Sequence, residues 1–250
     1  MNIKALYKKI FFLCMFPNIC WADATYDPCA GLLAVLNRPT IADSVCAVKP
    51  GDVVIEMGAQ YQELYPESGH AYNLPEALVR LGLQHGNEVS VLLPNYNADY
   101  PENQSARFGY TATTVAYKHQ FVPIGGFVYG AESLFTLPSG DENFGSEGLG
   151  VAINGLISYD TSKTTSIAFM FGYTSETTAK NDQGGQRYNS FNPDLVFIWQ
   201  PQPSFQFYLE VYGQTKAGPD KSEGYNADGG IQYLITQNIE IDLEYGQRIT

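Results

Sequence analysis

The sequence predicts an all-β protein, and more narrowly an antiparallel up-and-down transmembrane β-barrel of about twelve strands in its complete form. Strand-length segments of alternating polarity recur along the chain, and the links between them switch between short turns and long loops. Residues 239–245 show the alternation most clearly, because apolar side chains fill one face and three carboxylates fill the other. A soluble sheet can also bury one face, but a transmembrane barrel explains why short periplasmic turns alternate with longer outer loops.

Residues 1–24 are predicted to be a cleaved secretory signal peptide. Lys4, Lys8 and Lys9 make the start basic, residues 10–19 are largely apolar, and residues 22–24 form a small-x-small cleavage site. The alternative is a membrane anchor, but the apolar stretch is shorter than the roughly 20 residues of a spanning helix, and a proline interrupts it. The signal peptide alone fits a secreted or periplasmic protein equally well, so a membrane location depends on the strands.

The composition excludes some classes of function. The formal net charge is −12 at pH 7, whereas a nucleic-acid-binding protein needs a basic surface. The chain has no phosphate-binding glycine loop and no Cys/His spacing typical of zinc, so no cofactor or metal is predicted. Aromatic residues make up 14% of the chain, which suits a barrel with interfacial girdles. The predicted girdle residues are Tyr159, Trp199 and Tyr233 near short turns and Phe135, Tyr173 and Tyr245 near long loops.

Residues 25–50 are predicted to form a periplasmic N-terminal segment closed by a disulfide bond. Two of the four cysteines leave with the signal peptide, and Cys29 and Cys46 remain. One disulfide is expected in an oxidising compartment. A metal site is less favoured because no histidine or second cysteine pair lies nearby. The residues between the two cysteines have little strand pattern, so we expect a stapled segment that precedes the barrel and could reach into its mouth.

Residues 51–250 are predicted to form the barrel. Eleven strands are expected at about 52–63, 76–84, 89–93, 107–121, 127–137, 151–159, 167–173, 191–199, 205–212, 228–233 and 239–245. Long loops are expected around 65–69 and at 94–106, 138–148, 174–187 and 215–224. Bacterial single-chain barrels have an even number of strands, and an open edge leaves backbone groups unpaired in lipid. A twelfth strand is therefore expected after Thr250.

The lumen of the barrel is predicted to be acidic. The faces assigned inward carry the candidate lumen-lining residues Glu56, Arg80, Glu132, Tyr208, Glu210, Tyr212, Asp228, Glu240, Asp242, Glu244 and Arg248. If the lumen conducts water, it should favour cations or neutral polar solutes over anions. In the alternative, some carboxylates pair with arginine or hydrogen-bond the tyrosines, and the lumen is plugged.

Four segments in a fixed order carry a resemblance to a known family. They are FTLPSGD at 135–141, FNPDL at 191–195, FYLEVYG at 207–213 and YLITQNIEID at 233–242. In these segments the chain resembles the outer-membrane transporter family labelled as MetA-pathway proteins of phenol degradation. The resemblance implies an outer-membrane barrel, an uptake pore for small molecules, and outer-membrane lipid and the barrel-assembly machinery as partners. The chain departs from the family pattern in lacking a terminal strand.

Catalytic and metal-binding chemistry receive little support from the sequence. His70, His85 and His119 fall in a loop, a turn and a strand end, without a serine and a carboxylate arranged for a triad. Residues 141–143 and Glu147 supply oxygen ligands in a glycine-containing loop, but their spacing does not match a calcium-binding EF-hand. We therefore predict that the protein is not an enzyme and that this loop is solvated.

The leading functional hypothesis is a passive channel or uptake porin for small molecules in the bacterial outer membrane. One alternative is a closed structural or surface-interaction barrel that presents long loops, such as 174–187, to partners. Another is a soluble exported β-protein. Conductance separates the first two, and membrane fractionation separates the third.

Overall fold

A computed structural model describes residues 27–64 and 68–249. The predicted signal peptide at 1–24 lies outside the described residues. Within them, helix is confined to α1, Leu32–Val35, and two short 3₁₀ segments. No helix in this part of the chain is both long enough and apolar enough to cross a membrane. Almost all regular structure is β-strand, which confirms the predicted all-β class.

The described residues form fifteen strands, and every pairing between them is antiparallel. The strands are β1 Val53–Glu56, β2 Gln60–Glu63, β3 Gly69–Leu74, β4 Leu78–Leu83, β5 Asn87–Leu92, β6 Tyr96–Pro101, β7 Arg107–Tyr110, β8 Thr114–Gln120, β9 Phe127–Thr136, β10 Gly150–Asp160, β11 Thr165–Thr177, β12 Arg187–Gln202, β13 Phe205–Gln214, β14 Gly224–Thr236 and β15 Ile239–Arg248. One sheet has the order β1-β4-β5-β8-β9-β10-β11-β12-β13-β14-β15, and the other has the order β2-β3-β6-β7.

The smaller sheet continues the larger one along the same runs of chain. Four runs of extended chain are each interrupted for three residues, at 57–59, 75–77, 93–95 and 111–113. Each of these runs contributes one strand to each sheet. Hydrogen bonds join neighbouring interruptions, from the Gly58 N–H to the Pro75 carbonyl and from the Leu93 N–H to the Ala77 carbonyl. The fifteen strands therefore form eleven antiparallel runs in chain order, an up-and-down meander.

The interruptions correct two parts of the predicted strand map. Strand β6 lies inside residues 94–106, predicted to be a loop, and β3 precedes the predicted start of the second strand. Pro75 and Pro94 explain the error, because proline cannot donate to the strand ladder and normally marks the end of a strand. The alternation also changes phase, since exposed apolar residues are odd-numbered in β4, such as Leu81, but even-numbered in β3, such as Tyr72.

The larger sheet buries its polar face and exposes its apolar face. In β13, Phe207, Leu209 and Val211 are exposed, whereas the alternate residues Gln206 and Glu210 are buried. A water-soluble protein has the opposite arrangement, and charged residues in particular are almost never fully buried unless paired. An outward apolar band around a polar interior is the arrangement of a β-barrel in lipid.

The first and last strands of the larger sheet do not pair with each other. The eleven runs alternate in direction, so the first and the last point the same way. Strands β1 and β15 therefore cannot form an antiparallel ladder with each other. A cavity of about 1160 Å³ lies between them, lined by Val53, Ile55, Ile239 and Ile241 among others. The twelfth strand expected from the sequence stays a prediction.

Substitutions at Leu195 test whether the exposed apolar face contacts lipid. It lies near the middle of β12, is 50% exposed, and pairs with Phe169 and Val211 on the same face. The substitution Leu195→Arg should lower the free energy of unfolding by about 2–4 kcal/mol in lipid vesicles, because a charge enters the hydrocarbon. Leu195→Met, which keeps the volume and the polarity, should be nearly neutral. Urea titration in vesicles measures both variants, and equal stability of the two would contradict a lipid-facing surface.

Candidate functional site

The concave side of the larger sheet holds an N-terminal segment, residues 27–49, called the plug from here on. A disulfide bond joins Cys29 to Cys46, the pairing expected from the sequence, with Cα atoms 5.4 Å apart. The plug hydrogen-bonds side chains of β1, β4, β5 and β8 and, on the opposite side, side chains of β13 and β14. Because it contacts both halves of the sheet, it lies in the space that the sheet surrounds.

Inward carboxylates bind the backbone of the plug. Glu56 accepts hydrogen bonds from the N–H groups of residues 37–38, at 3.0 and 2.7 Å. Glu210, from the opposite wall, accepts them from residues 41–42, at 3.0 and 2.9 Å. Glu88 accepts a further plug N–H at 2.8 Å. Buried N–H groups of an irregular segment need such partners, and bonds to a charged acceptor are stronger than neutral ones.

Arg80 connects these carboxylates to each other and to the plug. Its guanidinium donates to both oxygens of Glu88, at 2.7 and 3.0 Å, and to Glu56 at 2.9 Å. It also donates to the carbonyl of Val35 at 2.5 Å and reaches that of Cys46 at 3.5 Å. Arg80 is fully buried, so its charge is tolerated only because two carboxylates and two carbonyls surround it.

Lys118 plays a similar role on β8, two strands further along the sheet than Arg80. Its ammonium donates to the plug carbonyl of Ser44 at 2.8 Å and lies 3.7 Å from the carboxylate of Glu132. Glu88 and Lys118 are absent from the residues selected by sequence. They occupy the inward positions beside Val89 and Tyr117, so the alternation that selected Glu56 contained the signal for them as well.

An apolar patch on the wall receives the apolar side of the plug. The plug contributes Cys29, Val35, Ala42, Val45, Cys46 and Val48, and the wall contributes Val128, Leu156, Met170, Val196 and Tyr208. Small inward residues make room for this contact. A Cβ at Gly130 would lie 3.2 Å from Val45, and a Cβ at Gly82 would lie 2.0 Å from the Lys49 carbonyl oxygen. Inward apolar residues contradict a simple polar-in pattern, and the sequence did not reveal them.

The wall formed by β12, β13 and β14 carries unpaired carboxylates. Glu210 lies directly opposite Asp228, and Asp194 lies directly opposite Tyr212. Asp194 and Asp228 are 2% and 6% exposed, and within the described residues neither oxygen of either carboxylate has a hydrogen-bond partner. The hydroxyl of Tyr208, at 2% exposure, likewise has none there. Asp194 is a further residue that was not selected from the sequence.

The candidates on β15 lie closer to the open edge. Glu240, Asp242 and Glu244 are half-buried on the inward face of the strand. Glu240 and Asp242 line the cavity between β1 and β15, together with Arg38 of the plug. Arg248 is exposed at the end of β15 and contacts the carbonyl of Glu223 at 3.4 Å. The structure thus places the predicted lumen residues on one surface, around Arg80, around Glu210 and along β15, where Glu244 is close enough to Asp228 to interact with it.

A small cavity of about 130 Å³, lined by polar and apolar side chains in similar measure, lies between the plug and the wall of β10 to β14. Its lining supplies hydroxyl and amide groups from Ser158, Ser166, Gln200, Gln206 and Gln232, together with Asp43 of the plug. The amides of Gln206 and Gln232 hydrogen-bond each other at 2.5 Å. The plug therefore leaves a gap on the side of β10 to β14, in addition to the larger cavity beside β1 and β15.

The histidines and the acidic loop occupy other places. His70 stacks on Tyr100 with ring centroids 5.2 Å apart, and His119 contacts Asn87 at 2.7 Å. Across residues 27–64 and 68–249, no group of three or more His, Cys, Asp or Glu residues is arranged to hold a metal ion. In the loop at 141–143, Glu142 pairs with Lys180 of the next long loop. That hydrogen bond raises the pKa of Lys180 above its ordinary value.

Comparisons with known proteins agree with this architecture. The model of the family described as "Putative MetA-pathway of phenol degradation" matches residues 36–250. Among solved structures, a NanC porin has a TM-score of 0.53 at 16% identity, with 77% of this chain and 87% of that chain covered. A KdgM porin has a TM-score of 0.51 at 11% identity, with coverages of 76% and 88%. A KdgM porin in complex with disordered oligogalacturonate has a TM-score of 0.51 at 12% identity, with coverages of 79% and 92%.

These structural likenesses show that the fold is that of a porin barrel. No curated protein gives a significant match.

Arg80 is expected to be a determinant of stability. Arg80→Met removes the cation and leaves Glu56 and Glu88 buried without their partner, which should cost about 3–5 kcal/mol of free energy of unfolding. The triple variant Arg80→Met, Glu56→Gln, Glu88→Gln removes the charges together and should recover a large part of that loss. Urea titration of the folded protein in detergent measures both. A single variant as stable as the wild type would contradict a buried ion network.

Proposed function

Because the chain belongs to the family described as "Putative MetA-pathway of phenol degradation", and because its fold is that of porins, we propose that it is a passive, porin-like channel of the bacterial outer membrane. In this proposal outer-membrane lipid surrounds the barrel, the barrel-assembly machinery inserts it, and small hydrophilic molecules diffuse through its interior. The protein performs no catalysis and needs no cofactor.

The observation that carries this proposal is the polar face turned away from the exterior. Each of ten neighbouring runs carries at least one buried hydrogen-bonding side chain, while the opposite face is apolar and exposed. A hydrophilic interior supports the passage of water and solutes.

The distribution of charge supports a preference for cations and neutral solutes. Carboxylates outnumber basic groups on the inward surface, and those of Asp194 and Asp228 accept no hydrogen bond from the described residues. Rings of acidic side chains favour cations in channels. One structural neighbour is a KdgM porin in complex with disordered oligogalacturonate, an anionic sugar chain. The acidic wall of this chain disfavours a ligand of that charge.

A closed structural barrel is the second candidate, and the plug is the observation that favours it. Residues 27–49 fill part of the interior and hydrogen-bond both walls. A barrel closed in this way would act through its long outer loops, such as 178–186 between β11 and β12. The cavities of about 1160 and 130 Å³ beside the plug leave room for water and support the channel over the closed barrel.

Reconstitution in planar lipid bilayers tests the channel. Under a KCl gradient, the wild type should show discrete current steps with a reversal potential displaced toward that of K⁺, since the carboxylates attract cations. Glu210→Gln combined with Asp228→Asn should move the reversal potential toward zero. Asp220→Asn, in the exposed loop before β14, is the matched control and should leave it unchanged. A folded protein without current would overturn the channel and support the closed barrel.

The disulfide bond gives a second test, directed at the plug. Cys29 and Cys46 are 17 residues apart, and a staple of this size typically contributes about 3 kcal/mol by restricting the open chain. Reducing it with dithiothreitol should loosen the plug and raise the mean current of the wild type. The variant Cys29→Ser, Cys46→Ser should carry the higher current with or without reductant. An equal current in all four conditions would show that the plug does not limit flow.

A further inference from the structure

The two walls that face the plug differ in their balance of charge. On the wall of β1 to β9, each buried carboxylate has a cation, since Arg80 serves Glu56 and Glu88 and Lys118 lies beside Glu132. On the wall of β12 to β14, Asp194, Glu210 and Asp228 converge, and among the described residues no salt bridge reaches them. In the described part of the chain, the wall of β12 to β14 therefore lacks the paired cations that balance the wall of β1 to β9.

The second wall also contains buried groups that lack a partner. Asp194 and Asp228 are almost completely buried, yet in the described part of the chain all four of their carboxylate oxygens accept nothing. Tyr208 is 2% exposed, and its hydroxyl has no hydrogen-bond partner in that part of the chain either. A buried polar atom without a partner costs free energy, and native proteins satisfy nearly all of them. Acceptors and a hydroxyl gathered at one place indicate a missing donor.

The register of the strands places two of these carboxylates next to each other. Glu210 and Asp228 are direct cross-strand neighbours on the same face, a position in which like charges destabilise a sheet. Tyr208 is two residues from Glu210 on the same face, and its hydroxyl lies over Gly230, where a Cβ would be 2.8 Å away. A cation between the two carboxylates would convert this repulsion into two attractions.

We propose that Asp194, Glu210 and Asp228, with Tyr208 beside them, form a binding site for an organic cation that carries a primary ammonium group. An ammonium has three N–H donors and no acceptor, which matches the carboxylates of Asp194 and Asp228, because within the described residues these accept no hydrogen bond. The ring of Tyr208 adds a face that attracts cations. A metal ion fits less well, because the described carboxylates do not meet in a group arranged to coordinate one.

The cavity of about 130 Å³ beside the plug is the route of entry in this proposal. Asp43 of the plug lines that cavity and is close enough to Asp194 to act on it electrostatically. Gln206, which also lines the cavity, lies on β13 on the same face as Tyr208 and Glu210. Asp194, Glu210 and Asp228 do not themselves line this cavity, so in this proposal an amine passes from it along β12 and β13, past Val196 and Gln206, to reach them. This inference names the solute class of the proposed channel and depends on channel function only for the route of entry.

Calorimetric titration of the detergent-solubilised full chain tests the site, with putrescine (butane-1,4-diamine) as the probe. The wild type should bind putrescine, and Asp194→Asn with Asp228→Asn should weaken binding by about tenfold or more, because charge-assisted hydrogen bonds are lost. Butane-1,4-diol, of the same length without charge, should not bind. The control Asp220→Asn should bind putrescine as the wild type does. Equal affinity of the double variant and the wild type, or no binding by the wild type, would overturn the site.

Two further measurements separate the possible failures. Asparagine has nearly the shape of aspartate. Because the substitutions remove unpaired buried charges, the ligand-free double variant should be at least as stable as the wild type. A clear loss of stability would mean that these carboxylates already have partners and would refute the site. Calcium chloride that displaces putrescine at equal concentration would also refute an ammonium-specific site. Putrescine binding without ionic current would refute the channel and support the ammonium site. Ionic current without putrescine binding would support the channel and refute the ammonium site.

Discussion

The need of every buried backbone N–H and C=O group for a partner governs this structure. In the sheet the requirement is met by eleven antiparallel runs that pair in chain order, which is the solution that lipid imposes on a β-protein. In the plug, which forms no ladder, it is met by side chains of the wall: Glu56 and Glu210 accept from pairs of plug N–H groups, and Arg80 donates to plug carbonyls. Charge is buried here because the backbone needs it.

The overall architecture could be predicted from sequence because it depends on short-range alternation. The eleven predicted strands coincide with the eleven runs, and Glu56, Arg80 and Glu210 lie on the buried face as the alternation indicates. The exceptions arise at Pro75 and Pro94, where a strand pauses and resumes in a different phase. A pattern with a period of two residues cannot be followed across an interruption of three, so β3 and β6 were not recognised.

The candidate site was harder to predict, because it depends on which distant residues meet. Alternation places Arg80 and Glu132 inward, but it cannot show that Arg80 is enclosed by partners whereas Asp194 has no hydrogen-bond partner in the described part of the chain. Nor does composition reveal that Val128 and Leu156 point inward to receive the plug. Such facts follow from the curvature of the sheet and from the path of a segment without regular structure, and neither is encoded within a few neighbouring residues.

The aligned interruptions in the first four runs divide that side of the molecule into two tiers. At the interruptions the ladder is reduced to isolated hydrogen bonds, such as those from the Gly58 N–H to Pro75 and from the Leu93 N–H to Ala77, and two prolines at this level cannot donate any. Proteins open locally in weakly joined units of this kind. The upper tier can therefore separate and re-form while the lower tier stays paired around Arg80, so its amide protons should exchange with deuterium as a group of their own.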